Sequence, residues 1–119
     1  MPSKKIVAAT LVTALAAGVL SAVPALGSRS ATTTVTVRAS EFKFVLSRKR
    51  VPKGTVVFKV TNRGSIAHDF KINGKKTLLI QPGKSRTLRV VLSRAKRYPY
   101  LCTIPGHAAA GMKGTLRVG

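Results

Sequence analysis

Apolar and polar side chains alternate along most of the chain after residue 28, and a period of two is the pattern of half-buried β-strands. The alternating apolar positions are Val35 and Val37; Phe42, Phe44 and Leu46; Val56, Phe58 and Val60; and Leu88, Val90 and Leu92. Turn sequences between these runs are Pro52-Lys53-Gly54, Asn62-Arg63-Gly64, Asn73-Gly74, Pro82-Gly83 and Pro105-Gly106. The pattern predicts an all-β antiparallel sandwich or barrel whose core includes Phe42, Phe44, Phe58 and Phe70.

The N-terminus has a different character. After Lys4 and Lys5 come 23 residues without a charge, Ile6 to Ser28, which is the layout of an export signal. Small residues at Ala25 and Gly27 predict cleavage after Gly27, with a site after Ala25 as the alternative. The competing interpretation is an uncleaved membrane anchor through residues 6–28, since about 20 apolar residues span a bilayer. We therefore expect a signal peptide at residues 1–27, a flexible leader at 28–34 and one domain at 35–119.

The chain is strongly basic, with 22 Lys and Arg against two acidic residues and a net charge of +20. Removal of Lys4 and Lys5 with the signal would leave a charge near +18. Such a charge predicts attraction to an acidic redox partner, anionic lipid headgroups or cell-wall polymer. No recognition helix is predicted, and Tyr98 and Tyr100 alone suggest an aromatic platform, so specific nucleic-acid binding is not expected. A monomer is expected.

Soft metal ligands are few in the chain after residue 28. There is one Cys, two His and one Met in that part, at Cys102, His68, His107 and Met112. Two imidazoles, a thiolate and a thioether are the ligand set of a blue-copper electron-transfer site. Each residue alone has an ordinary structural explanation, such as a small buried cysteine. Their combination, with three of them in one loop between predicted strands, favours copper over zinc, which binds thioether poorly.

Four segments of the sequence resemble those of the cupredoxins. Two of the matching segments are Glu-Phe-Lys-Phe at 41–44 and Asn-x-Gly followed by His-Asp-Phe across 62–70. The other two are Cys-Thr-Ile-Pro-Gly-His at 102–107 and Gly-Met-Lys-Gly-Thr-Leu at 111–116, which belong to a loop similar to that of azurin and auracyanin. The resemblance implies a Greek-key β-sandwich with one copper, equatorial ligands at His68, Cys102 and His107, and an axial ligand at Met112. It also suggests that Asp69 or Thr103 supplies hydrogen bonds between the two ligand segments.

The expected function is one-electron transfer between redox partners outside the cytoplasm. The protein would be periplasmic, at the cell surface or extracellular, with electrons passing at the His107 edge. The surrounding apolar patch for partner docking would comprise Ile104, Pro105, Ala108, Ala109 and Ala110. Catalysis by paired carboxylates is excluded, because Glu41 and Asp69 are the acidic residues of the whole chain. Two other functions remain open: a copper carrier or storage protein, and a basic anion-binding module on this scaffold.

Overall fold

The computed structural model describes residues 31–119, so the predicted signal peptide and residues 28–30 of the predicted leader lie outside the described residues. The described part is built of strands: β1 (Thr32–Ser40), β2 (Lys43–Leu46), β3 (Arg50–Val51), β4 (Gly54–Asn62), β5 (Lys71–Ile72), β6 (Lys75–Lys76), β7 (Ser85–Leu92), β8 (Arg97–Leu101) and β9 (Lys113–Val118). They form a four-stranded sheet in the order β2-β1-β4-β7 and a five-stranded sheet in the order β3-β9-β8-β5-β6. The predicted all-β sandwich is confirmed.

The two sheets are mixed, whereas the alternation had suggested antiparallel strands throughout. β1 pairs in parallel with β4, and β3 pairs in parallel with β9, while the other pairs are antiparallel. The physical reason is that the chain crosses to the other sheet at β3 before it returns as β4. Alternation reports which face of a strand is buried but not the direction of its neighbour.

The predicted flexible leader at 28–34 is wrong at its C-terminal end. Thr32, Thr33 and Thr34 belong to β1, where they pair with Thr55, Val56 and Val57 of β4. Thr33 is 8% exposed. Threonine is β-branched and suits a pleated surface, so a run that looks polar in composition can extend a strand.

The core lies between the two sheets. Phe58 and Phe70 are fully buried with ring centroids 5.1 Å apart, and Phe44 packs edge-on against Phe70 at 5.2 Å. Phe42 differs from the prediction: it is 39% exposed. It lies in the two-residue turn between β1 and β2, where the alternation of a strand no longer determines the direction of a side chain.

One end of this sandwich, the ligand end, holds the four candidate ligands His68, Cys102, His107 and Met112. β8 leads directly into Cys102, and Met112 directly precedes β9. Residues 31–119 contain no helix that is long and apolar enough to cross a membrane.

Candidate metal centre

Three ligand candidates lie on the loop that joins β8 to β9. The ends of the loop are tied together by a hydrogen bond from the Cys102 N–H to the Met112 carbonyl oxygen at 3.1 Å. Within the loop, the His107 N–H donates to the Ile104 carbonyl at 3.0 Å, and the Met112 N–H donates to the His107 carbonyl at 3.0 Å. Gly106 has a φ of 86°, a left-handed conformation that glycine adopts at little cost. The loop is therefore ordered by its own backbone, as its turn sequence predicts.

His68 approaches from a different segment. Its backbone forms a two-way bridge with Ile80, at 3.1 Å for the His68 N–H and 2.7 Å for the Ile80 N–H. His68 lies outside the named strands, and the strand that follows it, β5, consists of Lys71–Ile72. His68 is nevertheless fixed in place and fully buried.

The structure brings His68, Cys102 and His107 together. The two Nδ1 atoms of the histidines lie 3.2 Å apart, and the Cys102 Sγ lies 3.5 Å from the His107 Nδ1. Ligand atoms of the three residues all lie within 4.8 Å of one another, and all three residues are buried. Two imidazole nitrogens and one sulfur that converge in a buried cluster fit a single copper ion. Burial raises the pKa of the Cys102 thiol in the metal-free protein, and a bound cation would oppose that effect.

Met112 is 0% exposed at the end of the same loop. Its backbone carbonyl accepts the Cys102 N–H, so the two residues are held side by side.

Asp69 and Thr103 are hydrogen-bonded to each other, which joins the segment that follows His68 to the segment that follows Cys102. The Thr103 N–H donates to Asp69 Oδ1 at 2.7 Å, and the Thr103 hydroxyl donates to Asp69 Oδ2. Asp69 is 5% exposed. Because each residue directly follows a ligand candidate, this pair fixes the separation of His68 and Cys102.

Glu41 is a functional residue that the sequence analysis missed. Its Oε1 lies 3.0 Å from the His68 Nε2, on the side of the ring opposite Nδ1. Loss of hydration, the largest single influence, raises the pKa of Glu41, but hydrogen bonds from the Ile66 N–H, the His68 ring and the Ser65 N–H together hold that pKa below its ordinary value of 4.5. A carboxylate at Nε2 accepts a hydrogen bond from the Nε2–H group, which keeps the proton on that nitrogen and leaves Nδ1 free to bind a metal.

The Glu41 carboxylate also organises the chain in front of His68. Ser65 and Ile66 donate their N–H groups to it at 2.9 Å and 3.0 Å. A Cβ on Gly64 would collide with the Glu41 carboxyl group and would have to displace it. In the sequence, the hint of a special role for Glu41 is that acidic residues are rare in so basic a chain.

Asn62 also supports the turn that carries His68. Its fully buried side chain donates to the carbonyls of Ile66 and Ile80, each at 2.8 Å, and accepts the Gly64 N–H at 2.8 Å. Every polar atom that Asn62 buries is therefore satisfied, and the turn that carries His68 is held from two sides.

The surface above the centre is apolar. His107 is 9% exposed, and its ring meets the ring of Phe42 edge-on, with centroids 5.0 Å apart. Pro105, Ala109 and Ala110 are exposed around it, and Ile104 and Ala108 are half-buried. Phe42 thus extends the apolar patch that the sequence analysis had placed at the loop alone.

Comparison with known proteins agrees with this geometry. The family model described as copper binding proteins, plastocyanin/azurin family, matches residues 30–119. The copper-resistant cuproprotein CopI of Pseudomonas aeruginosa is 42% identical over 49 residues, which are 41% of this chain and 27% of that protein. Auracyanin B superposes with a TM-score of 0.65 at 23% identity, over 85% of this chain and 94% of that chain. Reduced auracyanin of Roseiflexus castenholzii superposes with a TM-score of 0.64 at 22% identity, over 76% and 99%.

A β-sandwich with two imidazoles and a thiol gathered in a buried pocket at one end defines a cupredoxin. The family model that matches residues 30–119 identifies the family within this class. The chain belongs to the plastocyanin/azurin family of copper binding proteins, and its cofactor is copper.

Proposed function

We propose that this protein is a one-electron carrier that works outside the cytoplasm. The observation that carries the proposal is the position of His107, whose Nδ1 lies 3.2 Å from the His68 Nδ1 inside the pocket while its ring touches Phe42 at the surface. One side chain thus reaches from the metal pocket to the outside, which is the connection that electron transfer to a partner requires. Copper bound there supplies a one-electron couple between Cu(I) and Cu(II).

The proposed ligands are His68, Cys102 and His107, with Met112 as a weak axial ligand. Support for a rigid set comes from the hydrogen bonds of Glu41 to His68 and of Asp69 to Thr103. A site whose ligands are held before the metal arrives changes little between two oxidation states, and a small structural change favours rapid transfer.

The proposed docking patch consists of Ile104, Pro105, Ala108, Ala109 and Ala110, extended by Phe42. A small apolar face suits brief encounters that bury little area. Lys43, which directly follows Phe42, and Lys113, three positions after Ala110, are both exposed. They favour a redox partner with acidic groups around its own apolar contact.

Bond-making catalysis is not part of the proposal. The acidic residues of the chain are Glu41 and Asp69, and both already accept backbone N–H groups that hold the ligand segments. Neither is free to act as a general acid or base at a substrate.

A second candidate is copper handling, in which the protein receives or delivers the ion itself. It is favoured by the 42% identity over 49 residues with a protein described as copper-resistant. Against it stand the buried ligand candidates, because exchange of an ion is faster from exposed ligands.

The test is a titration of the exported form, beginning at Ser28, with Cu(II) under a visible spectrometer. An electron carrier should show an intense thiolate-to-copper band at one copper per chain, bleached by a reductant and restored by an oxidant with the copper retained. Cys102→Ser should bind without that band. A colourless wild-type complex would contradict the proposal, and release of copper at each reduction would favour copper handling.

A further inference from the structure

The end of the sandwich opposite the ligand end carries a concentration of positive charge that the copper site does not explain. It is formed by the β2–β3 connection, the β3–β4 turn, the β7–β8 turn and the last residues of β9. This basic end contains eight exposed cations: Arg48, Lys49, Arg50, Lys53, Arg94, Lys96, Arg97 and Arg117.

Three arginines form a row across neighbouring strands at its centre. Arg117 of β9 pairs directly with Arg50 of β3 on one side and with Arg97 of β8 on the other. Adjacent strands are about 4.8 Å apart, so the three arginine side chains leave the same face of the sheet from Cα positions that span roughly 10 Å. Like charges placed directly opposite one another in a sheet are destabilising.

No acidic side chain within residues 31–119 neutralises this row. The acidic side chains, Glu41 and Asp69, both lie at the ligand end. The contact in that range between an acidic and a basic side chain joins Glu41 to His68 and involves none of the eight cations. The repulsion is therefore left for an external anion to relieve.

The basic end is an ordered surface. The Arg117 N–H donates to the Lys49 carbonyl at 3.0 Å, and the Val118 N–H donates to the Lys96 carbonyl at 2.9 Å. The Tyr98 hydroxyl lies 3.3 Å from backbone atoms of Arg94, which holds the β7–β8 turn. A surface cavity of about 260 Å³ is lined by Arg50, Lys96, Arg97 and Arg117 among others. The cations are thus presented from a fixed framework.

The orientation of the strands relates this surface to the rest of the molecule. Arg97 begins β8 and Cys102 follows its end, so the two are about 17 Å apart along the strand at roughly 3.3 Å per residue. β1 begins at Thr32, opposite Thr55 at the start of β4, which places the entry of the chain at the basic end. The 23 uncharged residues from Ile6 to Ser28 precede that entry in the sequence.

We propose that the basic end binds the anionic headgroup surface of a phospholipid bilayer and turns the ligand end away from it. A bilayer presents many phosphates in one plane, which matches cations supplied by several segments at one end of a domain. Each Lys or Arg near an anionic membrane adds to binding, and the attraction weakens with salt. Whether it is a cleaved export signal or an anchor, the apolar sequence that precedes this end would bring it to the membrane during export, which favours lipid over a soluble acidic protein.

The experiment measures binding of the exported form, beginning at Ser28, to phosphatidylglycerol-containing vesicles at low salt. This form keeps the whole sandwich and its core. The basic-end variant carries Arg50→Gln, Arg97→Gln and Arg117→Gln. The matched control carries Arg38→Gln, Lys59→Gln and Arg89→Gln, three exposed cations of the other sheet, so both variants have the same net charge. Phosphatidylcholine vesicles and soluble inorganic polyphosphate serve as further ligands, and thermal unfolding checks that both variants fold.

The basic-end variant should bind the anionic vesicles roughly tenfold more weakly or worse, while the control stays within about threefold of wild type. Equal losses in the two variants would overturn the proposal, because net charge alone would then explain binding. Wild-type protein that binds polyphosphate but not the anionic vesicles would also overturn it. Neither test needs copper, so failure of the electron-carrier proposal would leave this result unaffected.

Discussion

Glu41 Oε1 lies 3.0 Å from His68 Nε2, and this contact joins the turn between β1 and β2 to the histidine that approaches the metal pocket. The two residues are 27 positions apart in the chain. The carboxylate fixes the orientation of the ring and keeps the proton on the outer nitrogen. Metal-ligating histidines commonly depend on such a partner for the basicity of the inner nitrogen.

Glu41→Gln should weaken copper binding by roughly 10- to 100-fold, the usual cost of losing a hydrogen-bond partner of a metal-ligating histidine. Affinity is measured by competition with a chelator of known strength. Gly64→Ala tests the position of the Glu41 carboxylate, because it keeps the charge of Glu41 but pushes its carboxyl group away from His68. Both variants should lose affinity in the same direction. Unchanged affinity in both would show that His68 is held without Glu41.

The stability of the metal-free protein should depend on Glu41 in a defined pH window. Its pKa in the folded protein lies below the ordinary value of 4.5. The stabilisation is therefore present above pH 4.5 and lost as the pH falls through the lower folded-state pKa. The difference in Tm between wild type and Glu41→Gln should be largest near neutral pH and should disappear in strong acid. A difference that persists or grows in acid would contradict this assignment.

Asp69→Ala should destabilise the protein by about 1–3 kcal/mol, because it leaves the Thr103 N–H and hydroxyl without their acceptor. Asp69→Asn is the conservative comparison, since an amide oxygen can still accept the N–H. Denaturant unfolding gives the free energies, and the visible spectrum of the copper form reports any change at Cys102. If Ala and Asn variants behave alike, the Asp69–Thr103 pair does not hold the loops.

Ala109→Asp should slow electron exchange with a redox partner while the copper spectrum stays unchanged. The charge is placed at an exposed position of the docking patch, where it must be desolvated on contact. Ala95→Asp makes the same change at an exposed position of the basic end and should leave the exchange rate unaltered. Stopped-flow kinetics with one partner compare the two. Equal electron-exchange rates in the two variants would show that the patch does not take part in docking.

Arg117→Gln should raise stability at low salt, since Arg117 faces Arg50 and Arg97 across two strand pairs. Each like-charged pair costs about 0.2–1 kcal/mol, and added salt should shrink the gain. Arg89→Gln is the control, because Arg89 lies opposite Val57. Thermal unfolding at two salt concentrations measures the effect. A loss of stability in Arg117→Gln would show that the row is already neutralised.

Much of the ligand end could be predicted from the sequence, because the information there is local. Cys102, His107 and Met112 share one loop between two predicted strands, which are β8 and β9 in the structure. What could not be predicted depends on segments that are distant in the chain. The contact of Glu41 with His68, the Arg50–Arg117–Arg97 row and the parallel pairing of β1 all join such segments. Phe42 was misplaced because it belongs to a turn, where a period of two no longer applies.

The separation of charge along the sandwich has a consequence for how the molecule moves. Both acidic side chains lie at the ligand end with cations such as Lys43 and Lys113, whereas the other end has eight cations and no acidic side chain, so the domain has an electric dipole along its strands. In the field of a negatively charged surface, such a body experiences a torque before it touches anything. If the basic end binds a membrane as proposed, the search for a partner becomes diffusion in a plane, with His107 facing outward.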